Sequence, residues 1–179
     1  MISLLSQNFI RSPRLVRDTC GNPLSLRLYQ PEGNDYHSLL EMYQGFEPKE
    51  RSQGLPARLE QQREGWLRYM VDEGINLLAV MEGKVVGHAA LFKMEHDTRC
   101  EFLIFIHQDY QDRGIGTALT EMIKELAEEL GFEQIWLTVQ ANNGKAIHMY
   151  EKVGFRISGV PEIECVMMLS LQNKTPETS

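Results

Sequence analysis

No apolar run in this 179-residue chain is longer than a strand needs, so nothing in it approaches the roughly 20 apolar residues that cross a bilayer as a helix. The opening stretch from Met1 to Ile10 is broken by Ser3, Ser6, Gln7 and Asn8 and lacks the basic start of a secretory leader, so a cytoplasmic location and no membrane contact are expected. Cysteine is scarce. Cys20, Cys100 and Cys165 are isolated, odd in number and without a Cys-x-x-Cys pair, which argues against a disulfide scaffold and against structural zinc. Positive charge is also short: 18 Lys and Arg against 25 Asp and Glu leave a net charge of -7. A nucleic-acid binder needs clustered cations, so no nucleic-acid partner is expected. The acidic balance suits a cationic amine substrate, and equally an ordinary solvated surface. No spacing of His, Asp and Glu suggests a metal site, and no internal repeat is present.

What is present is ordinary globular material, 42% hydrophobic and 24% charged, in a length that suits one domain. Residues 1–20 are expected as an N-terminal extension, 21–172 as the domain and 173–179 as a polar tail. Leu15 to Arg17 and Leu24 to Tyr29 alternate about Cys20-Gly21-Asn22-Pro23 as a hairpin. A helical stripe runs from Asp35, expected as its N-cap, to about Gly45, and a second from Leu59 to about residue 73. Between them Glu47 to Pro56 is turn-rich, a loop of the kind that carries function. Strands follow at 75–81 and 84–94 about the tight turn Glu82-Gly83, then at 99–106. Beyond a helix from Ile115 to Leu130 come a strand at 133–140, a short helix from Asn143 to Val153, and strands at 155–158 and 164–171. The class is α/β with a mixed sheet.

The junction between Ile106 and that long helix is the informative stretch. Cys100 to Ile106 is a buried strand, and Ile115, Ala118, Leu119, Met122, Ile123, Leu126 and Ala127 recur at helical steps. Gly114 and Gly116 lie where strand becomes helix, letting backbone N–H groups approach an anion at the positive helix end; an ordinary tight turn is the plainer account. A dinucleotide fingerprint would need a small residue where Leu119 stands, and the next strand ends in Val139-Gln140 without an acid for a ribose. A nucleoside triphosphate loop would need Gly-Lys-Ser/Thr, whereas Gly116 is followed by Thr117-Ala118.

Gln111-Asp112-Arg113-Gly114-Ile115-Gly116 resembles the pyrophosphate-binding motif of the GNAT superfamily of acetyl-CoA-dependent N-acetyltransferases. Asn143-Gly144-Lys145-Ala146-Ile147-His148-Met149-Tyr150-Glu151-Lys152-Val153-Gly154-Phe155 resembles that family's second block, Asn-x-x-Ala-x-x-x-Tyr-x-x-x-Gly-Phe. The likeness covers residues 75 to 170 well. It implies the acyl-CoA N-acyltransferase fold and acetyl-CoA as donor substrate. The backbone from Gln111 through Asp112, Arg113, Gly114, Ile115, Gly116 and Thr117 to Ala118 would then hold the diphosphate, and Phe105, Ile106 and His107 would pair with the pantetheine arm.

Acyl transfer to an amine needs a base, because an alkylammonium with a pKa near ~10.4 has no lone pair to attack with. It also needs oxyanion stabilisation and help for the leaving thiolate. By the resemblance, Glu101 has the position of the base and Tyr150 that of the general acid, with backbone amides near Phe105 and Ile106 polarising the thioester. Glu101 shares a strand face with Leu103 and Phe105, which would raise its pKa; an edge or salt-bridged glutamate is the other reading. Tyr150 is alternatively a packing tyrosine, Asn143 a helix cap as well as a cofactor contact, and Arg113 either a phosphate partner or a solvated charge. His88 faces the same cleft or is a hydrogen-bonded structural histidine.

An enzyme acting on a primary amine of a small molecule or protein is thus the leading expectation. A non-catalytic acyl-CoA-sensing module, and a subunit docking a partner through Glu47 to Pro56, are the rivals, and a homodimer is compatible with all three. Lys49 and Arg51 favour an acceptor carboxylate, whereas the net charge favours a polyamine or lysine side chain.

Overall fold

The structure, a computed structural model, describes residues 12–47, 60–94 and 98–171. The loop of Glu47 to Pro56, with Lys49 and Arg51, falls almost wholly outside these. Strands β1 (Arg14–Arg17) and β2 (Pro23–Leu28) form the expected hairpin, and helices α1 (Asp35–Gln44) and α2 (Glu60–Glu73) follow. Then come β3 (Ile75–Met81), β4 (Lys84–Lys93), β5 (Arg99–Ile106), α3 (Ile115–Glu129), β6 (Gln134–Gln140), α4 (Gly144–Val153), β7 (Arg156–Ser158) and β8 (Glu164–Ser170). Among the described residues the strands make one 8-stranded sheet in the order β1-β2-β3-β4-β5-β6-β8-β7. All neighbours are antiparallel except β5 and β6. The Glu82-Gly83 turn has positive φ at both residues, 50° and 77°, as a two-residue hairpin with matching twist requires.

Two apolar layers cover the sheet. On one face α3 presents Ile115, Leu119, Met122, Ile123 and Leu126 to Ala79, Ala89, Phe102, Ile135 and Leu137. On the other, Leu39, Met42 and Tyr43 of α1 and Leu67 and Met70 of α2 pack on Leu78, Ala90, Phe92 and Phe105. β4 is buried along almost its whole length on both faces, and its small residues allow it. A side chain at Gly87 would begin 2.8 Å from Ile106 Cδ1 and 3.1 Å from Leu119 Cδ1, so the close approach of α3 to the sheet depends on that glycine.

One expectation is corrected. Asn34, not Asp35, occupies the cap position of α1, and it makes no side-chain capping bond. Asp35 is buried in the first turn, where its carboxylate accepts from Arg27 (2.5 and 2.7 Å) and from the Gln30 amide (2.8 Å). The two-pronged guanidinium bond is the stronger claim on that carboxylate.

His88 lies wholly buried between Asn76 and Tyr43. Asn76 spends its Nδ2 on the carbonyls of Met70 (2.8 Å) and Gly74 (2.7 Å), so its Oδ1 faces His88 Nε2 at 2.7 Å and accepts from it. His88 Nδ1 therefore accepts from the Tyr43 hydroxyl, at 2.6 Å. Burial holds the imidazole neutral, with its pKa lowered to about 3. The unfolded chain takes up this proton near pH ~6.5 and the folded chain does not, so stability is lost as pH falls below that value. Chemical unfolding should show a loss through this residue of roughly 1.4 kcal/mol per pH unit between about pH 6 and 4. A flat profile across that window would show that His88 is not held neutral.

Candidate active site

The strands β5 and β6 are partners only at Arg99, Cys100 and Glu101, opposite Gln134, Ile135 and Trp136. Both run on past that point, to Ile106 and Gln140, without pairing, so the sheet opens there into a V. Unpaired strand backbone needs another partner. His107 N donates to Val86 O at 3.0 Å, which fixes the parity of the β4–β5 ladder. By that alternation His107 and Phe105 turn their peptide groups towards β4, whereas Ile104 and Ile106 turn theirs towards the opening. Of the three residues expected to pair with a pantetheine arm, only Ile106 therefore offers its backbone, and Ile104 joins it. Nothing in the sequence reveals that parity.

Above the opening stands the N-terminus of α3. After a short 3-10 turn (Gln108–Tyr110), Gln111 reaches back so that its Nε2 donates to Ile106 O at 3.1 Å. Asp112 and Gly114 have φ of 61° and 76°, left-handed values that swing the chain into the helix. Asp112 is held by Lys145 of α4, 2.9 Å away. The first helical bond of α3 runs from Ala118 N to Gly114 O, and no side chain caps the helix. Among the described residues the N–H groups of Ile115, Gly116 and Thr117 are thus the uncommitted donors of a 15-residue helix, a geometry and dipole that suit an anion.

Gly116 supports that assignment. A Cβ built on it would meet only Ile106 Cγ1 and Met149 Cε, both at the ordinary distance of 3.8 Å. Among the described residues neither its backbone nor its neighbours require a glycine. The Ile115 side chain is buried and anchors the helix, leaving its amide outward; Thr117 and Ala118 are half-buried beside it. Asn143 does cap α4, its Oδ1 accepting from Ala146 N at 3.2 Å.

The two expected catalytic side chains flank the V from opposite faces of the sheet. Glu101 is the last β5 residue with a β6 partner and stands between Phe92 and Trp136 in the lateral register. Its side chain lies with Leu103 and Phe105 on the α1/α2 face, half-buried, and desolvation raises its pKa. Among the described residues its carboxylate has no hydrogen bond or ion pair. Beyond it, Trp136, Thr138, Val166 and Met168 are half-buried on the same face, while Tyr43, Phe46, Trp66 and Phe105 meet edge-to-face with centroids 5.0–6.1 Å apart. This aromatic border escaped the sequence reading.

Tyr150 lies on the α3/α4 face, its ring 6.3 Å from Phe102, the first β5 residue past the last β6 partner, and 5.7 Å from Phe155. Burial raises its pKa, so the hydroxyl stays protonated at neutral pH. Within the described residues that hydroxyl makes no hydrogen bond. His88 does not reach the opening; its buried bonds to Asn76 and Tyr43 settle it as structural.

A family model described as "Acetyltransferase (GNAT) family" matches residues 36–155. The chain belongs to the GNAT acetyltransferase family. A [ribosomal protein bS18]-alanine N-acetyltransferase of Escherichia coli (strain K12) is 35% identical over 81 residues, 45% of this chain and 54% of that protein. The L-amino acid N-acetyltransferase AaaT of the same strain is 35% identical over 100 residues, 52% of this chain and 62% of that protein. This GNAT chain thus spans about half the length of the first of these relatives. Among solved structures, the GNAT domain of S. lividans PAT superposes with a TM-score of 0.77 at 17% identity, covering 89% of this chain and 97% of that one. Acetyl-CoA chemistry belongs to this family.

Proposed function

We propose that the chain is an N-acetyltransferase that moves the acetyl group of acetyl-CoA to a primary amine by direct attack, acting in the cytoplasm. The observation that carries this is the V between β5 and β6 topped by the uncommitted amides of α3, with a carboxylate on one face and a phenol on the other. Acetyl-CoA supplies an activated acyl thioester. The Ile115, Gly116 and Thr117 amides hold its diphosphate, and Arg113 stands beside them as a charge partner. Ile104 and Ile106 continue their ladder along the open edge, and the Ile106 N–H polarises the acyl carbonyl. Glu101 takes the proton that the acceptor ammonium must lose, directly or through one water. The Tyr150 hydroxyl hydrogen-bonds the departing sulfur. Because a thiol ionises near ~8.5 and this tyrosine well above its ordinary value, the phenol stabilises the thiolate as a hydrogen-bond donor and keeps its own proton; the second proton of the attacking nitrogen leaves to water as the C–S bond breaks, and the thiolate is protonated from solvent.

Steady-state release of free CoA, with amino acids, polyamines, peptides and aminoglycosides offered in turn, tests the reading. Tyr150→Phe should lower kcat about tenfold with the KM for acetyl-CoA nearly unchanged, the loss of one net hydrogen bond of about 1.4 kcal/mol in the transition state. Tight acetyl-CoA binding with no turnover across the panel would point instead to a sensing module.

A further inference from the structure

The turn of the β1–β2 hairpin is docked against the diphosphate loop, and we infer that Asp18 is a positioning residue that sets Arg113 for the donor's phosphates. This rests on the donor reading of that loop. Thr19 N donates to Arg113 O at 3.0 Å, and Thr19 Cγ2 would lie 3.2 Å from a Cβ at Gly114. The hairpin is fastened to α3 a second time, where the Arg14 guanidinium bridges both oxygens of Glu125 at 3.0 and 2.6 Å. The hairpin thus contacts α3 at its entry loop and along its length, so a shift of the hairpin moves the loop.

Asp18 is buried and does two jobs. Its carboxylate closes the turn by accepting from Cys20 N (3.0 Å), Asn22 N (2.7 Å) and Asn22 Nδ2 (3.0 Å). It also faces Arg113, with Oδ2 3.9 Å from Nη1. Oδ1 takes both backbone amides of the turn, while Oδ2 accepts from Asn22 Nδ2 and is also the oxygen that faces Arg113, so one carboxylate ties the turn and the guanidinium together. On its other side the guanidinium lies over the Tyr110 ring, 5.0 Å from the centroid. Arg113 is thus held by a charge, a ring and its own carbonyl before any ligand arrives. A long side chain fixed in advance loses less freedom when it meets a phosphate, and the gain appears in donor affinity rather than in the chemical step.

Acetyl-CoA is titrated calorimetrically onto the full chain, Asp18→Asn, Arg113→Gln and the double variant, with kcat measured at saturating donor. Asp18→Asn, whose amide cannot accept from Asn22 Nδ2 where Oδ2 does, should melt somewhat lower, keep kcat at saturating donor within about twofold and weaken acetyl-CoA about fivefold. Arg113→Gln should weaken it about tenfold, and the double variant no further than Arg113→Gln alone. Unchanged affinity in Asp18→Asn or in Arg113→Gln, or additive losses in the double variant, would overturn the inference. Wild-type protein that fails to bind acetyl-CoA would instead overturn the donor reading beneath it. A measurement without substitution stands beside these: the Arg113 Nε–H of the free protein should show an order parameter above about 0.7, and a value below about 0.6 would overturn the positioning role.

Discussion

Glu101→Gln should cut kcat/KM for the amine at pH 7 by about 100-fold while leaving the affinity for acetyl-CoA unchanged, within the range of general-base losses. At that pH only about one alkylamine in 2,500 is neutral, so a carboxylate that removes the proton at the site has much to contribute. Half-burial beside Phe92 and Trp136 raises the Glu101 pKa, which makes it a stronger base and moves the acid limb of the rate profile above the ordinary carboxylate range. That limb should vanish in the glutamine variant. The stability effect has the opposite sign. A carboxylate whose pKa is raised by folding weakens the fold as pH climbs through that value, so glutamine should melt no lower than the wild type at pH 7. A variant that melts normally and turns over within threefold of wild type would leave the proton to solvent and reduce Glu101 to a packing role.

The strands and helices were readable because their signals are local. Ile115 to Leu126 repeats at helical steps, Glu82-Gly83 allows both positive φ values of its turn, and the first motif block lies at the start of α3 while the second spans α4. What escaped depends on partners far away in the chain. Cys100 to Ile106 reads as the same apolar strand whether β6 follows it or leaves at Glu101, so the V is invisible in the residues that form it. Which of Phe105, Ile106 and His107 offers its backbone turns on one bond, from His107 N to Val86 O. Asp35 looks like a helix cap until Arg27 claims its carboxylate. His88 could not be assigned locally because its partners come from 12 and 45 residues away. The hairpin of Asp18 and Thr19, in a stretch expected to be an extension, meets Arg113 only through the folded sheet.

The two glycines of the loop make the sharpest expected result, because they are glycine for different reasons. Gly114 has φ of 76° with Thr19 Cγ2 waiting 3.2 Å from any Cβ, so Gly114→Ala strains the fold itself. Gly116 sits in the first helical turn with ordinary room for a Cβ, 3.8 Å from Ile106 and Met149. Gly116→Val should therefore leave stability within about 1 kcal/mol of wild type, since a β-branched residue is a better helix former than glycine even if not a good one. Its methyl groups would project over the amides of α3, where a diphosphate would lose charge-assisted hydrogen bonds worth about 1.5–3 kcal/mol each. Acetyl-CoA affinity should fall by at least about 100-fold, the cost of one or two such bonds. Gly116→Ala, whose single Cβ meets only ordinary contacts, should fall between the two. Calorimetric titration beside a thermal melt separates the outcomes. A Gly116→Val protein that binds acetyl-CoA as tightly as the wild type would place the diphosphate somewhere other than the α3 N-terminus.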